Sequence, residues 1–368
     1  MYQALYRKWR PMSFDDVVSQ PHITTTLKNQ IKSGKTAHAY LFTGSRGTGK
    51  TTCARIFAKA INCLDPHDGE PCLECEICKD ADNGTLSDII EIDAASNSKV
   101  DDIRELREGV VYTPERCKYK VYIIDEVHML SAGAFNALLK TMEEPPPHVK
   151  FILATTEIHK VPATIVSRCQ HFDFHRIRNE DIVSRLMYIA SQEGFTLHED
   201  AAGMIARLSD GGMRDALSLL DQCVAYENDI TLDVVSSASG IAGRDYLFDI
   251  LEKIAEKDAA GALRVVDKLY DMSKDLKVLA GELLAQMRNV MIIKTIDNNK
   301  DLITCLPDEY ERLKALAERM KLDEILGDIN TLQECSERFA KSTSKRIELE
   351  MCIIKLCGAA QKAGATVQ

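Results

Sequence analysis

Residues 44–51 read Gly44-Ser45-Arg46-Gly47-Thr48-Gly49-Lys50-Thr51 and fit G-x-x-x-x-G-K-[ST] at every fixed position. An apolar run, AHAYLFT (37–43), precedes them, and a helix-like pattern, TTCARIFAKAIN (51–62), follows. The residue types suit a phosphate. Gly44, Gly47 and Gly49 let the backbone curl so that its N–H groups face one point. The helix that starts near Lys50 adds its positive end. Lys50 neutralises β- and γ-phosphate charge, and the Thr51 hydroxyl is placed to ligate Mg²⁺. The run from Gly44 through Thr52 is therefore expected to bind a nucleoside triphosphate.

Strand signals recur outward from this loop. IIEI (89–92), VYII (121–124), FILATT (151–156) and HFDF (171–174) are short apolar runs with helix-like segments between them, such as SAGAFNALLKTMEE (131–144). Alternation of this kind predicts a parallel sheet covered on both faces. Pro145–Pro147 stops one helix sharply. Past residue 176 the strand signals fade. Residues 179–192 and 199–225 read as amphipathic helices, and 243–362 is helical almost throughout. The expected blocks are an α/β domain (1–176), a small helical domain (177–240) and a larger helical domain (241–368). Three blocks suit 368 residues, given roughly 100–200 residues per domain. No internal repeat or low-complexity linker is visible.

The acid pair Asp125-Glu126 ends the VYII run and supplies a second half-site. Asp125 is expected to hold Mg²⁺ through its water shell, and Glu126 to act as general base on a water. Thr155 and Thr156, at the end of FILATT, are candidates to sense the γ-phosphate or orient that water.

Twelve cysteines are present. Cys63, Cys72, Cys75 and Cys78 form C-x8-C-x2-C-x2-C, which predicts a structural Zn²⁺ site in a module at about 62–80. His67 lies inside the module, but four thiolates already fill a tetrahedral shell. Most of the other eight read as small buried apolar residues.

Hydrophobic residues are 45% and charged residues 28%, the balance of a globular chain. No apolar run approaches the ~20 residues of a membrane span, and MYQALYRKWR has no secretory pattern, so a cytoplasmic protein with no membrane partner is expected. The net charge of −10 argues against a simple basic nucleic-acid binder. It hides an asymmetry: residues 1–60 carry ten Lys or Arg against two acids, so the rest of the chain carries −18.

The order of P-loop, IIDEVH, ATT, SRC (167–169) and GGMRDAL (211–217), with YRKWRP (6–11) and EIDAAS (91–96), resembles the clamp-loader branch of the AAA+ ATPases. It is most similar to the γ/τ family of bacterial DNA polymerase III. These motifs span residues 1 to about 240, and the resemblance extends with weaker support to the chain's end. It implies an AAA+ nucleotide-binding domain with an inserted zinc module, a helical lid and a helical collar. It also implies ATP, Mg²⁺ and Zn²⁺ as cofactors. By resemblance, Arg168 is an arginine finger reaching a neighbour's ATP, Arg214 is a sensor arginine of the lid, and the Arg7–Arg10 segment folds over the adenine. The implied partners are δ and δ′ subunits and further copies of the chain in a pentameric ring, the sliding clamp and primer–template DNA. Lys99 and Lys140 are suggested as DNA phosphate contacts. Another AAA+ machine, such as a branch-migration motor or an initiation ATPase, fits the SRC motif and zinc cluster less well. A non-catalytic scaffold fits poorly with an intact Lys50, Thr51, Asp125 and Glu126.

Overall fold

A computed structural model describes residues 3–96, 100–240, 245–297, 299, 302, 303, 305, 307–339 and 342–358. The chain forms two compact units, 1–238 and 239–368.

The first unit is built on five parallel strands: β1 (Ala39–Gly44), β2 (Ile89–Asp93), β3 (Lys120–Asp125), β4 (Val149–Thr155) and β5 (Gln170–Phe174), in the order β2-β3-β4-β1-β5. Successive side chains face opposite sides of the sheet, so nearly continuous apolar strands need a cover on each face. On one face Tyr40, Phe42, Ile123 and Ile152 pack with Ile23, Leu27 and Phe57 from α2 (Pro21–Ser33) and α3 (Lys50–Asn62). On the other, Leu41, Tyr122, Phe151 and Leu153 pack with side chains of α5 (Val100–Val110), α6 (Ala132–Glu143) and α7 (Ala163–Val166). A short helix α1 (Leu5–Lys8) opens the chain, and α4 (Glu76–Asn83) follows the cysteine loop.

Residues beyond β5 form α8 (Asn179–Glu193), α9 (Glu199–Leu208), α10 (Met213–Tyr226) and α11 (Leu232–Ala238). The single helix expected at 199–225 is in fact two. Asp210 and Gly211 both have positive φ, which ends α9, and a Cβ on Gly211 would lie 2.7 Å from Arg176 Cβ. A two-strand parallel pair, 196–197 with 229–230, was not legible in the sequence.

The second unit contains α12 (Asp245–Ala255), α13 (Ala259–Asp271), α14 (Leu276–Thr295), α15 (Pro307–Arg319), α16 (Leu322–Arg338) and α17 (Lys345–Leu356). The long helix α14 packs against α12, α15, α16 and α17 around Leu283, Met287, Leu313, Leu332 and Ile353. None of the described helices is long and apolar enough to cross a membrane.

Candidate functional site

Parallel strands bring their carboxyl ends to one edge of the sheet, and loops there can build a site. Register puts Thr43 beside Thr155 and Asp93 beside Asp125. The 44–49 loop leaves β1 at this edge. Gly44 sits at φ +131°, where a Cβ would fall 2.2 Å from Phe174 O, so only glycine fits. Gly47 has φ +77° and Gly49 +103°. A Cβ on Gly47 would stand 2.9 Å from Gly212 Cα, and Met213 N donates to Gly47 O at 3.0 Å. Two glycines thus allow the loop to touch the start of α10.

Lys50 opens α3 with its side chain buried. Its Nζ donates to Gly44 O at 2.8 Å and Ser45 O at 2.7 Å. Burial lowers its ammonium pKa, against the pull of Glu126 and Asp125. Thr48 Oγ1 donates to Ser45 O at 2.8 Å. Thr51 Oγ1 donates to Asp125 Oδ2 at 2.7 Å. Burial raises the Asp125 carboxyl, with Thr51 and the Glu126 amide opposing. A hydroxyl and a carboxylate at this spacing, beside a buried lysine, fit a hard cation held between phosphate and protein.

Glu126 follows Asp125 at φ +47°. Its Oε2 accepts from Thr156 Oγ1 at 3.0 Å and Thr156 N at 3.2 Å. Thr155 is fully buried and turned elsewhere: its Oγ1 accepts from Glu157 N at 3.0 Å and lies 3.0 Å from His128 Nδ1. No local sequence pattern marks a role for His128, which also stands 3.3 Å from Glu126 Oε2 and 3.4 Å from Glu157 Oε1.

A cavity of about 380 Å³ joins these groups. Arg46 through Thr52, Asp125 and Glu126 line it, with Tyr6, Trp9, Arg10 and Pro11 from the N-terminal segment and Arg214 from α10. Burial, then the nearby Arg55, holds Arg10 below the usual guanidinium range. Arg7 does not line the cavity; its guanidinium lies 5.7 Å from the Tyr6 ring centroid, and Arg214 lies 5.2 Å from the same centroid. Arg168 is not among the lining residues. It sits between α7 and β5, donating to Glu143 Oε1 at 2.7 Å and Thr164 O at 2.8 Å. Lys140 is exposed on α6, and Lys99 lies outside the described residues.

Cys63 ends α3 and Cys75 caps α4, which folds the four cysteines together. Their sulfurs all lie within 4.8 Å of one another. A tetrahedral zinc with 2.3 Å bonds needs sulfurs about 3.8 Å apart. Three pairs stand at 3.6, 3.9 and 4.0 Å. Amides of Cys72, Cys75 and Cys78 donate to the sulfurs of Cys63, Cys72 and Cys75 at 3.2–3.4 Å. Burial raises the Cys75 thiol, but hydrogen bonds from Leu64, Cys78 and Cys72 outweigh it and bring it down to about 7. All four are free thiols, and the donor set fits Zn²⁺. His67 is not part of the group.

Sheet order, P-loop, acid pair and helical lid define a P-loop nucleotide-binding fold of the AAA+ class. Residues 19–178 match the family described as DNA polymerase III, delta subunit, residues 181–229 the clamp loader subunit ATPase lid domain, and residues 230–365 the gamma and tau domain III. The DNA polymerase III subunit gamma of Buchnera aphidicola subsp. Schizaphis graminum is 40% identical over 86% of this chain and 87% of its own length. The subunit tau of Bacillus subtilis is 44% identical over 99% of this chain, which spans 65% of that protein's length. Among solved structures, the RuvB Holliday junction branch migration motor of Thermotoga maritima is 20% identical, covering 67% of this chain and 80% of its own, with a TM-score of 0.48. The chain belongs to the DNA polymerase III gamma/tau family.

Proposed function

We propose that the chain is the ATP-hydrolysing subunit of a bacterial clamp loader. In this reading ATP binding and hydrolysis drive opening of the sliding clamp and its loading onto primer–template DNA. The observation that carries the reading is the convergence of Lys50, Thr51, Asp125 and Glu126 with Arg214 on one cavity.

The triphosphate enters the curl of residues 44–49, and Lys50 exchanges the Gly44 and Ser45 carbonyls for phosphate oxygens. The first amides of α3, at Thr51 and Thr52, face the same phosphates. Thr51 and Asp125 hold Mg²⁺, which when bound draws charge from the phosphate oxygens. Glu126 takes the proton from the attacking water, with Thr156 fixing its carboxylate. Arg10 and the neighbouring strap close over the base, and Arg214 approaches the γ-phosphate from the lid. Arg168 stands apart from its own cavity, which suits a finger offered to the ATP of the next subunit. Cys63, Cys72, Cys75 and Cys78 hold a structural zinc.

Residues 1–176 then form the nucleotide-binding domain, 177–240 the lid and 241–368 the collar of a pentameric ring with δ and δ′, acting in the cytoplasm at the nucleoid. The test is ATP hydrolysis by the reconstituted assembly with and without clamp and primed DNA. Strong stimulation by both is expected. Turnover indifferent to both would overturn the reading.

A further inference from the structure

The N-terminal segment is tied to the lid as well as to the nucleotide pocket. Tyr6, Trp9, Arg10 and Pro11 line the cavity beside the P-loop. The same segment is held from outside by α8 and α10. Trp9 Nε1 donates to Glu193 Oε1 at 2.7 Å, and Lys8 Nζ donates to Glu193 Oε2 at 2.7 Å. The Trp9 ring meets Tyr188 edge-on at 5.8 Å, and the Arg185 guanidinium lies 5.8 Å from the Trp9 centroid. Helix α1 packs on α10, with Tyr6 against Arg214.

Glu193 is the last residue of α8 and does not line the cavity. Its side chain is 18% exposed and its bond to Trp9 is partly shielded from water, while the Lys8 side chain stays about half exposed. Lys8, opposed by burial and helped by Trp9, holds its carboxyl below the usual carboxylate range. A carboxylate that accepts from two consecutive residues fixes both the height and the rotation of that stretch.

We propose that Glu193 is a positioning residue for nucleotide binding: it anchors the Lys8–Trp9 strap to the lid and so holds the strap's inner face against the bound nucleotide. The inference rests on the ATP reading above. Any nucleotide contact with the strap then also favours the docked lid, and a docked lid favours the nucleotide, because the coupling is reciprocal. No residue in the cavity need change for this coupling to be lost.

Trp9 is the only tryptophan in the chain, so its emission reports the strap directly. ATP and ADP are titrated into the full chain, with equilibrium dialysis of ATP as an independent measure. E193A is expected to red-shift the emission before nucleotide is added and to raise the ATP dissociation constant about tenfold, the loss expected for a hydrogen bond to a charged group. E193Q keeps an acceptor for the indole and should stay within about threefold of the unsubstituted chain, with its emission unshifted. An unchanged ATP constant in E193A, whether or not the emission moves, overturns the proposal. Should E193A unfold, K8M keeps the aliphatic stem and deletes the other donor to Glu193, on a residue that does not line the cavity; read by dialysis, it must weaken ATP binding, and no weakening overturns the proposal. If the unsubstituted chain itself binds no ATP, the nucleotide reading fails instead.

Discussion

Thr156 holds Glu126 by two bonds to one oxygen: its hydroxyl and its amide both donate to Oε2, at 3.0 and 3.2 Å. Glu126 lines the cavity and Thr156 does not, so the carboxylate is steadied from behind. T156V removes the hydroxyl but keeps the amide. Single-turnover hydrolysis at saturating ATP should fall about tenfold with the ATP dissociation constant unchanged. E126Q should fall further, by roughly 10²–10⁴, because the base itself is gone. Faster turnover in T156V would show that Thr156 restrains Glu126 instead.

Arg168 offers a sharper separation of binding from turnover. Its partner Glu143 is half exposed, so breaking the pair costs the fold under about 1 kcal/mol. R168A should melt like the parent and bind ATP equally well as an isolated chain. Hydrolysis in the complete assembly should drop by about 10³ or more. A drop of equal size in the isolated chain would place Arg168 at its own subunit's ATP.

The parts of the site that were legible in sequence are those written in short contiguous motifs. GSRGTGKT, the acid pair and the cysteine spacing each state their chemistry within twenty residues, and the five strands are apolar runs too regular to miss. The parts that were not legible depend on chain crossings. His128 gains meaning only beside Thr155, which ends the next strand, and Glu157, which follows it. Glu193 meets Lys8 and Trp9 across more than 180 residues, and no local pattern marks it. The break between α9 and α10 was signalled by Gly211-Gly212, but helical periodicity on both sides outweighed it. The strands at 196–197 and 229–230 are two residues each, too short for any period to register.

The cysteine module should carry about one zinc per chain, and C75S should lose it. The loss should also be felt in the sheet domain. Lys59 of α3 is buried with its ammonium 2.7 Å from Asp82 of α4, and Asn62 bonds the backbone of Tyr119 in both directions. Freeing α4 therefore threatens a buried lysine with losing its partner, which is costly. Metal analysis and thermal melting of the same sample check this: C75S, or the parent treated with a strong chelator, should melt several degrees lower. Zinc lost with no change in melting would mean that the module is held by its protein contacts alone.

Asp328 makes the second unit sensitive to pH. It lies on α16 only 8% exposed, and its Oδ2 has no hydrogen-bond partner. Burial pushes its carboxyl up to about 6, with Lys257 opposing and Glu324 adding. An unfolded aspartate titrates at about 3.9. The folded pKa is therefore the higher one: the folded state binds the proton more tightly. This group's contribution is complete below about pH 4 and is lost as the pH rises through about 6. Above that the buried charge costs on the order of 3 kcal/mol. D328N keeps the shape without the charge. It should melt above the parent at pH 8, and the gap should hold to about pH 7 and narrow as the pH falls through 6 to 5. A gap that stays constant across that range would mean that Asp328 keeps its charge throughout.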